Sequence, residues 1–422
     1  MKIIKTIAGW IKVSWAILGI TVLMLALLEG GLSLMFHLND LRRPPRQNFR
    51  ATADTYSDPA WAASYYKEID EVEKGGTIRW NPYSYWRRAE FRGKYINIGT
   101  DGLRRTHAAV ATDGAGSPVK VFMFGGSTLW GLGADDESTI PSIFAKETQN
   151  RGTLTKVVNF GQYAFVSTQG VIELIRQLQK GNIPDTVIFL DGVNDTFGAF
   201  QNRVAGLAHS EFDRELLFNS AESSKLAKLA AQSAIRNLSI VRFFRGIITR
   251  TGLQPASLQP YSLRFDPPIQ DKRALAQSVI DIYFNNMKMV QALSRTYNFK
   301  FICYWQPVLF TKQYLSDYER RSPELDFNYP GMKEFYLDTY SLMQQRGEVQ
   351  KNETSFHNIS SIFQDVHEPV YVDFNHMGEK GNSVIARRMV DDFLYLHKPT
   401  GKPESVTESQ LHHTSAAVKE QR

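Results

Sequence analysis

The chain has 422 residues, of which 43% are hydrophobic and 22% are charged, as expected for a globular protein with a full core. It carries 49 Lys and Arg against 43 Asp and Glu, a formal charge of +6, which is too small an excess to indicate nucleic-acid binding by itself. The single cysteine, Cys303, excludes an intramolecular disulfide and a cysteine-based zinc or iron–sulfur site.

The N-terminal segment is apolar enough to cross a membrane. Between Val13 and Phe36 the only charged residue is Glu29, and a bilayer core of about 30 Å needs roughly 20 helical residues. We expect an uncleaved anchor with the bulk of the chain outside, because no clean cleavage site follows; a cleaved signal peptide is the alternative. Cationic residues flank both ends of the span: Lys2, Lys5 and Lys12 before it, and Arg42, Arg43, Arg46 and Arg50 after it. The three lysines favour a cytoplasmic N-terminus.

The sequence predicts four regions along the chain. Residues 1–37 form the cytoplasmic N-terminus and the transmembrane anchor. Residues 38–117 form an irregular juxtamembrane stalk and an N-terminal embellishment rich in aromatic residues. Residues 118–397 form the main domain, with a helical insertion at about 200–270. Residues 398–422 are polar and contain Pro and Gly, which predicts a disordered tail.

Short apolar runs alternate with helical patterns in the main domain. The predicted strands are Val119–Phe124, Val157–Phe160, Thr186–Leu190 and Phe299–Trp305. The predicted helices are Ile140–Thr148, Val171–Gln179, Ala274–Tyr297, Met332–Gln345 and Glu379–Leu396. This alternation predicts an α/β domain, a three-layer sandwich with a parallel central sheet.

The insertion at about 200–270 interrupts this alternation with basic residues set among Leu, Ile and Phe. The basic residues are Lys225, Lys228, Arg236, Arg242, Arg245 and Arg250. Such a pattern is typical of a basic amphipathic helix, which could face a membrane or an acidic substrate. An ordinary solvated face on a helical cap is the alternative.

Polar and small residues follow the predicted strands. Gly125-Gly126-Ser127 ends the first strand, residues 159–164 follow the second, and Gly192-Val193-Asn194-Asp195 ends the third. In an open parallel sheet the site lies beyond the carboxyl ends of the strands. A serine at the start of a helix there has main-chain N–H groups near it that can stabilise an oxyanion. An N-cap serine or a phosphate-binding turn would use similar residues, but the glycines lack the spacing of a P-loop or a dinucleotide site.

Near the C-terminus, Asp373 precedes His376 by three residues, just before a predicted helix. A carboxylate at this spacing can accept the imidazole Nδ1–H, which leaves Nε2 free to act as a general base. Two alternatives remain at this point. Asp373 caps the helix while His376 is merely packed, or a metal is bound with His367 or Asp365 as a further ligand.

Together these stretches resemble the SGNH (GDSL-type) hydrolases, and more narrowly bacterial members with one N-terminal membrane anchor that are often linked to cell-envelope polysaccharides. Gly125–Thr128 resembles the first block, with Gly126 where the family usually has Asp. Gly192–Asp195 matches the GxND block, and Asp373–His376 matches the DxxH block. The resemblance implies a flavodoxin-like sheet, a Ser127–His376–Asp373 triad and an oxyanion hole that includes the Asn194 side chain.

The resemblance also implies an oxyanion-hole glycine five residues after an Asn that ends the second strand. Counting from Asn159 places Ala164 there, with Gly161 as a nearer neighbour. The hole needs only a backbone N–H, so Ala164 can serve, at a cost if the position requires φ > 0.

The predicted function is that of a serine esterase acting on O-acyl groups of cell-envelope carbohydrate, at the outer face of the membrane. We expect no cofactor, no metal and no nucleic-acid partner. Three alternatives remain open. A sugar hydroxyl as acceptor would make the protein an O-acyltransferase, an inactive site would leave an anchored glycan-binding or scaffold protein, and a peptidase is a weaker third.

Overall fold

The structure is a computed structural model that describes residues 2–42, 48–74, 76–108, 117–219, 231, 234–235, 237–250, 269–321, 329–349 and 355–398. The helices are α1 (Lys2–Arg42), α2 (Pro59–Glu73), α3 (Ser127–Trp130), α4 (Ile140–Asn150), α5 (Ser167–Gln179), α6 (Val193–Asn202), α7 (Glu211–Asn219), α8 (Ser239–Arg250), α9 (Lys272–Tyr297), α10 (Asp317–Arg321), α11 (Met332–Val349) and α12 (Glu379–Leu396). The strands are β1 (Ile78–Asn81), β2 (Tyr85–Arg88), β3 (Phe91–Arg92), β4 (Asn97–Ile98), β5 (Val119–Gly125), β6 (Thr155–Asn159), β7 (Thr186–Asp191), β8 (Lys300–Trp305) and β9 (Phe356–Asn358).

The core of the main domain is a five-stranded sheet in the order β6-β5-β7-β8-β9. All its pairings are parallel, and helices cover both faces, so the predicted α/β class is confirmed. The four strands expected from sequence are β5, β6, β7 and β8. β9 was not predicted, because a run of three residues that pairs on one side only is too short to show a period.

Alternation along the strands assigns each side chain to one of two cores. From β5, Phe122 and Phe124 pack in the core that contains residues of α5, α9 and α11. Val121 and Met123 pack on the opposite face, with residues of α4 and α12. These side chains are fully buried, so the sheet is covered on both sides, as an all-parallel sheet requires.

The strand order places a crevice at the carboxyl end of β5. The chain adds β6 on one side of β5 and then crosses over to add β7 on the other side. At such a switch point the two connections leave in opposite directions, and ligands of open α/β sheets bind in the gap between them. The loops that follow β5, β6 and β7 all reach this gap.

The N-terminal region is more regular than expected in its described residues 48–74 and 76–108, so the interpretation of this part as irregular was wrong. It contains α2 and two antiparallel hairpins, β1–β2 and β3–β4. The local signal was present in the sequence: Asp58 caps α2, and Pro59 occupies its first turn. Buried residues of α2 share a hydrophobic cluster with Trp130 and Leu132. The region therefore packs directly against the segment that follows β5.

The helix α1 stands apart from these cores. Its segment Gly9–Arg42 has an apolar window of mean hydropathy 2.2, none of which is buried, and is long enough to cross a membrane by length and composition. α8 begins beside it, where the Glu29 carboxylate accepts hydrogen bonds from the backbone N–H groups of Ser239 and Ile240 at 2.5 and 2.9 Å. Lys225, Lys228 and Arg236 of the predicted basic insertion, and residues 399–422 of the predicted tail, lie outside the described residues.

Candidate active site

Ser127 lies at the junction of β5 and α3, at the carboxyl edge of the sheet. Gly126 caps α3 in an extended conformation (φ −84°, ψ −158°), and Ser127 is the first helical residue. Its N–H therefore has no partner within the helix, as for any residue of a first turn. The residue is 7% exposed. A nearly buried hydroxyl thus stands next to an unpaired backbone donor.

The structure brings Ser127, His376 and Asp373 into one chain of hydrogen bonds. The Ser127 Oγ lies 2.6 Å from His376 Nε2, across 249 residues of sequence. The His376 Nδ1 lies 2.6 Å from Asp373 Oδ2. The side chain of Asp373 is fully buried and that of His376 is 10% exposed. This arrangement has the geometry in which an imidazole takes a hydroxyl proton while a carboxylate holds the ring.

The loop between β9 and α12 fixes the relative position of this carboxylate and imidazole. Val372 N–H donates to His376 O at 2.9 Å, which closes a tight turn. Asp373 Oδ1 accepts from the N–H groups of Asn375 and His376 at 3.0 and 2.7 Å. The cap of α12 is Gly378, not Asp373. The alternative in which Asp373 caps this helix is therefore wrong.

Asp373 has a cationic partner that the sequence did not suggest. Arg50 Nε donates to Asp373 Oδ2 at 2.6 Å, and the Arg50 side chain is 17% exposed. Burial works to raise the pKa of Asp373, but His376, Arg50 and the loop N–H groups outweigh it and hold that pKa well below its usual range. The carboxyl group is therefore ionised at neutral pH. In the sequence Arg50 was one of several arginines after the apolar span, and nothing local marked it.

The metal alternative finds no support in the described residues. The His367 ring stacks against Tyr314 with 3.9 Å between centroids. Within the part of the chain that the structure describes, no group of three or more His, Cys, Asp and Glu side chains is placed to hold a metal ion.

Asn194 lies at the start of α6 with its amide against Gly126. It donates from Nδ2 to Phe165 O at 2.9 Å, and an amide nitrogen carries a second hydrogen. A Cβ built on Gly126 would lie 2.1 Å from Asn194 Nδ2. A Cβ at position 126 would therefore displace this amide, so the close approach of Asn194 depends on the glycine.

The turn that presents Asn194 also depends on a glycine. Gly192 has φ +119°, and a Cβ there would lie 2.7 Å from the Trp305 ring. Asp195 Oδ2 accepts from Gly192 N–H at 3.2 Å, while its Oδ1 accepts from Ser167 N–H at 3.0 Å. Asp195 thus joins the loop after β7 to the start of α5.

The two candidate backbone donors after β6 are not equivalent. Gly161 N–H donates to Asn159 Oδ1 at 2.9 Å, so it is already committed. Ala164 has φ +59°, the left-handed region that costs a residue with a Cβ roughly 1–2 kcal/mol. Its neighbour Phe165 supplies the carbonyl that binds Asn194. Of the two, Ala164 is the candidate donor, in the strained conformation that the sequence left open.

Comparisons with known proteins found solved structures with a low similarity to this chain. The sequence matches no protein-family model and no curated protein. An acetyl xylan esterase structure has 12% identity and a TM-score of 0.34, covering 65% of this chain and 98% of its own. A catalytic mutant of an acetylxylan esterase from Geobacillus stearothermophilus has 12% identity and a TM-score of 0.34, covering 66% and 94%. A member of the lipolytic G-D-S-L family from Veillonella parvula has 9% identity and a TM-score of 0.33, covering 65% and 98%. Identities of 12% or less and TM-scores of 0.34 or less do not establish a shared activity or a shared substrate.

Proposed function

We propose that the protein is a serine esterase of the SGNH type that cleaves O-acyl esters with Ser127 as nucleophile. One observation carries the proposal: Ser127 Oγ, His376 and the ionised Asp373 form a chain of two 2.6 Å contacts at the carboxyl edge of the sheet. Residues from distant parts of the sequence meet in this order in hydrolases that form an acyl-enzyme.

In the proposed reaction, His376 Nε2 takes the proton of Ser127 Oγ as that oxygen attacks the ester carbonyl. Asp373 accepts the Nδ1–H bond and stabilises the imidazolium. His376 then returns the proton to the leaving alcohol, and an acyl-enzyme remains. A water molecule activated by the same imidazole releases the carboxylic acid.

The oxyanion of the tetrahedral intermediate requires donors near Ser127. The proposed donors are the N–H of Ser127, the second amide hydrogen of Asn194 and the N–H of Ala164. Each is supported by its position: the first is unpaired in its helix, the second lies against Gly126, and the third follows on the adjacent loop. Removing one such donor typically lowers turnover by about 10²–10³-fold.

The test is turnover of p-nitrophenyl acetate by the full chain in detergent, with Ser127→Ala beside it. The variant should lose more than about 10³-fold of the activity. Ser278→Ala is the matched control, because Ser278 is an exposed residue of α9 whose hydroxyl donates to Ala274 O of its own helix. A fluorophosphonate should label the wild type and the control but not Ser127→Ala. Equal labelling of all three would eliminate Ser127 as nucleophile, and absence of labelling in the wild type would favour the non-catalytic scaffold.

We further propose that acylated carbohydrate of the cell envelope is the substrate and that α1 anchors the enzyme in the membrane, with the domain outside. The exposed apolar segment of α1 supports the anchor. The charge of Arg50 is engaged by Asp373, so it belongs to the folded domain and does not count towards the positive flank of the span. An alkaline phosphatase fused after residue 398 should be active in a bacterial host; an inactive fusion would reverse the topology.

The same acyl-enzyme can be resolved by a sugar hydroxyl, which would make the protein an O-acyltransferase. Product analysis separates the two reactions. Free acetate from an acetylated glycan, unchanged in yield when an acceptor glycan is added, supports hydrolysis. Acylated acceptor that forms at the expense of acetate would assign the transferase.

A further inference from the structure

Arg50 reaches the candidate triad from a segment that lies far away in the sequence. It sits in a short 3-10 turn, Phe49–Thr52, which follows α1 across residues 43–47. Its Nε is 2.6 Å from Asp373 Oδ2, although 323 residues separate the two in the chain. The segment next to the anchor therefore contributes a side chain to the centre of the site.

Several contacts hold this turn in place. The Asn48 side chain accepts from Arg50 N–H at 3.2 Å and donates to Asp70 of α2 at 3.1 Å. The Tyr318 hydroxyl lies 2.7 Å from Val372 O and 3.4 Å from Phe49 O. It thus links the turn to the residue that precedes Asp373. The position of Arg50 is set by the fold and does not depend on its own side chain alone.

The carboxylate of Asp373 is fully committed by its donors. Oδ2 accepts from both Arg50 Nε and His376 Nδ1, and Oδ1 accepts two backbone N–H groups. Among the described residues, the phenols of Tyr56 and Tyr66 also sense this charge, and burial raises both pKa values, so they are neutral. Arg50 is thus the cationic side chain bonded to Asp373, on the same oxygen that the His376 Nδ1 contacts.

We propose that Arg50 is a positioning residue of the triad, which keeps Asp373 ionised and aimed at His376, so that activity depends on the docked juxtamembrane segment. The proposal rests on the function proposed above. A charge-assisted bond to a buried carboxylate is stronger than a neutral one, and a second donor on Oδ2 prevents the carboxylate from turning away from the imidazole. The segment that leads from the anchor is then part of the catalytic machinery.

A purely structural ion pair would give a different result. Its loss would lower the melting temperature and leave kcat per folded molecule and the pH profile unchanged. A positioning role predicts a lower kcat with KM changed by less than about twofold, because Arg50 acts through Asp373 and His376. It also predicts that the acid limb of the plot of kcat against pH moves to higher pH in a variant without the Arg50 charge. Removal of this neighbouring positive charge favours protonation of Asp373 and His376 as a unit.

The experiment uses the full chain in detergent micelles and begins with wild type and Ser127→Ala, which test the proposed function on their own. Arg50→Gln should lower kcat per folded molecule on the order of 10- to 100-fold, because this is the effect expected from losing one hydrogen bond to a charged group. The control is Arg92→Gln, since Arg92 is 83% exposed and pairs with Glu90. If folded Arg50→Gln had the same kcat as the wild type and an acid limb at the same pH, the proposal would be overturned.

Further variants cover the remaining outcomes. Arg50→Lys keeps the charge but loses the planar donor, so it should fold and lose about tenfold in kcat. A wild-type kcat in this variant overturns the proposal even if Arg50→Gln does not fold. If the wild type itself has no turnover, the proposed function fails, and the Nδ1 proton of His376 in ¹⁵N-histidine spectra decides about Arg50. Its low-field resonance should move upfield in Arg50→Lys; an unchanged resonance refutes the positioning role.

Discussion

Gly126→Ala adds one methyl group beside the proposed nucleophile, and the structure gives its consequence directly. The new Cβ would lie 2.1 Å from Asn194 Nδ2. The backbone itself tolerates alanine, because φ of −84° and ψ of −158° are extended values that any residue adopts. The substitution therefore acts on the Asn194 side chain and not through backbone strain.

The magnitude follows from the displacement. Asn194 Nδ2 must move by about 1.3 Å to reach ordinary van der Waals contact at 3.4 Å. A misplacement of about 1 Å in a catalytic group can cost about 10²-fold in rate, and removing an oxyanion donor costs about 10²–10³-fold. We therefore expect Gly126→Ala to lower kcat by about 10²-fold or more, close to the loss expected for Asn194→Ala.

A double-mutant cycle on p-nitrophenyl acetate turnover tests this mechanism. Because Asn194→Ala removes the clashing amide, adding Gly126→Ala to it should cost little, and the double variant should resemble the single one. Gly19→Ala is the control, since no described atom outside the backbone of its own helix lies within 4 Å of the added Cβ. Near-normal turnover of Gly126→Ala would refute the reasoning. A double variant whose loss of turnover equals the product of the two single losses would refute it as well.

Substitutions at two further positions, Ala164 and His209, test the loops around the site. Ala164→Gly should keep kcat and the melting temperature at or above wild type because it relieves the cost of φ +59°, whereas Ala164→Val should lower both; the opposite order would contradict the strain. Burial lowers the pKa of His209 to about 4, with Arg214 adding to the effect. The unfolded chain then binds the proton more readily, so the contribution of His209 to stability is full above about pH 6.5 and is lost as pH falls towards 4, by up to about 3 kcal/mol. Denaturant unfolding between these pH values should be less pH-dependent in His209→Gln; an equal slope would refute this.

How far the sequence predicted the fold depends on how local each signal is. The runs that became β5, β6, β7 and β8 alternate with helical patterns, and this periodicity is a property of neighbouring residues. The last helix, α12, has the predicted bounds Glu379–Leu396. The short strands of the N-terminal hairpins span two to four residues each, which is too few for a period to show. They form because they pair within the folded domain.

The candidate site also combines contacts that the local sequence suggested with contacts that only the folded chain forms. Asp373 and His376 stand three residues apart, so their spacing alone made a hydrogen bond between them possible. The proximity of Ser127 to His376 was an inference from the order of strand ends, and the 2.6 Å contact depends on how β5 and the loop before α12 meet. No pattern in the sequence links Arg50 to Asp373.

The sequence by itself determined the alternation of strands and helices and the apolar N-terminal segment, and it supplied the residues that are proposed to carry acyl chemistry. Only the tertiary structure decided that Arg50 meets Asp373 and that Asn194 fills the space beside Gly126. The physical reason is that periodicity and turn chemistry act over a few residues. Contacts between distant segments depend on the packing of the whole chain, because the sheet order and the docking of the N-terminal region together set these distances.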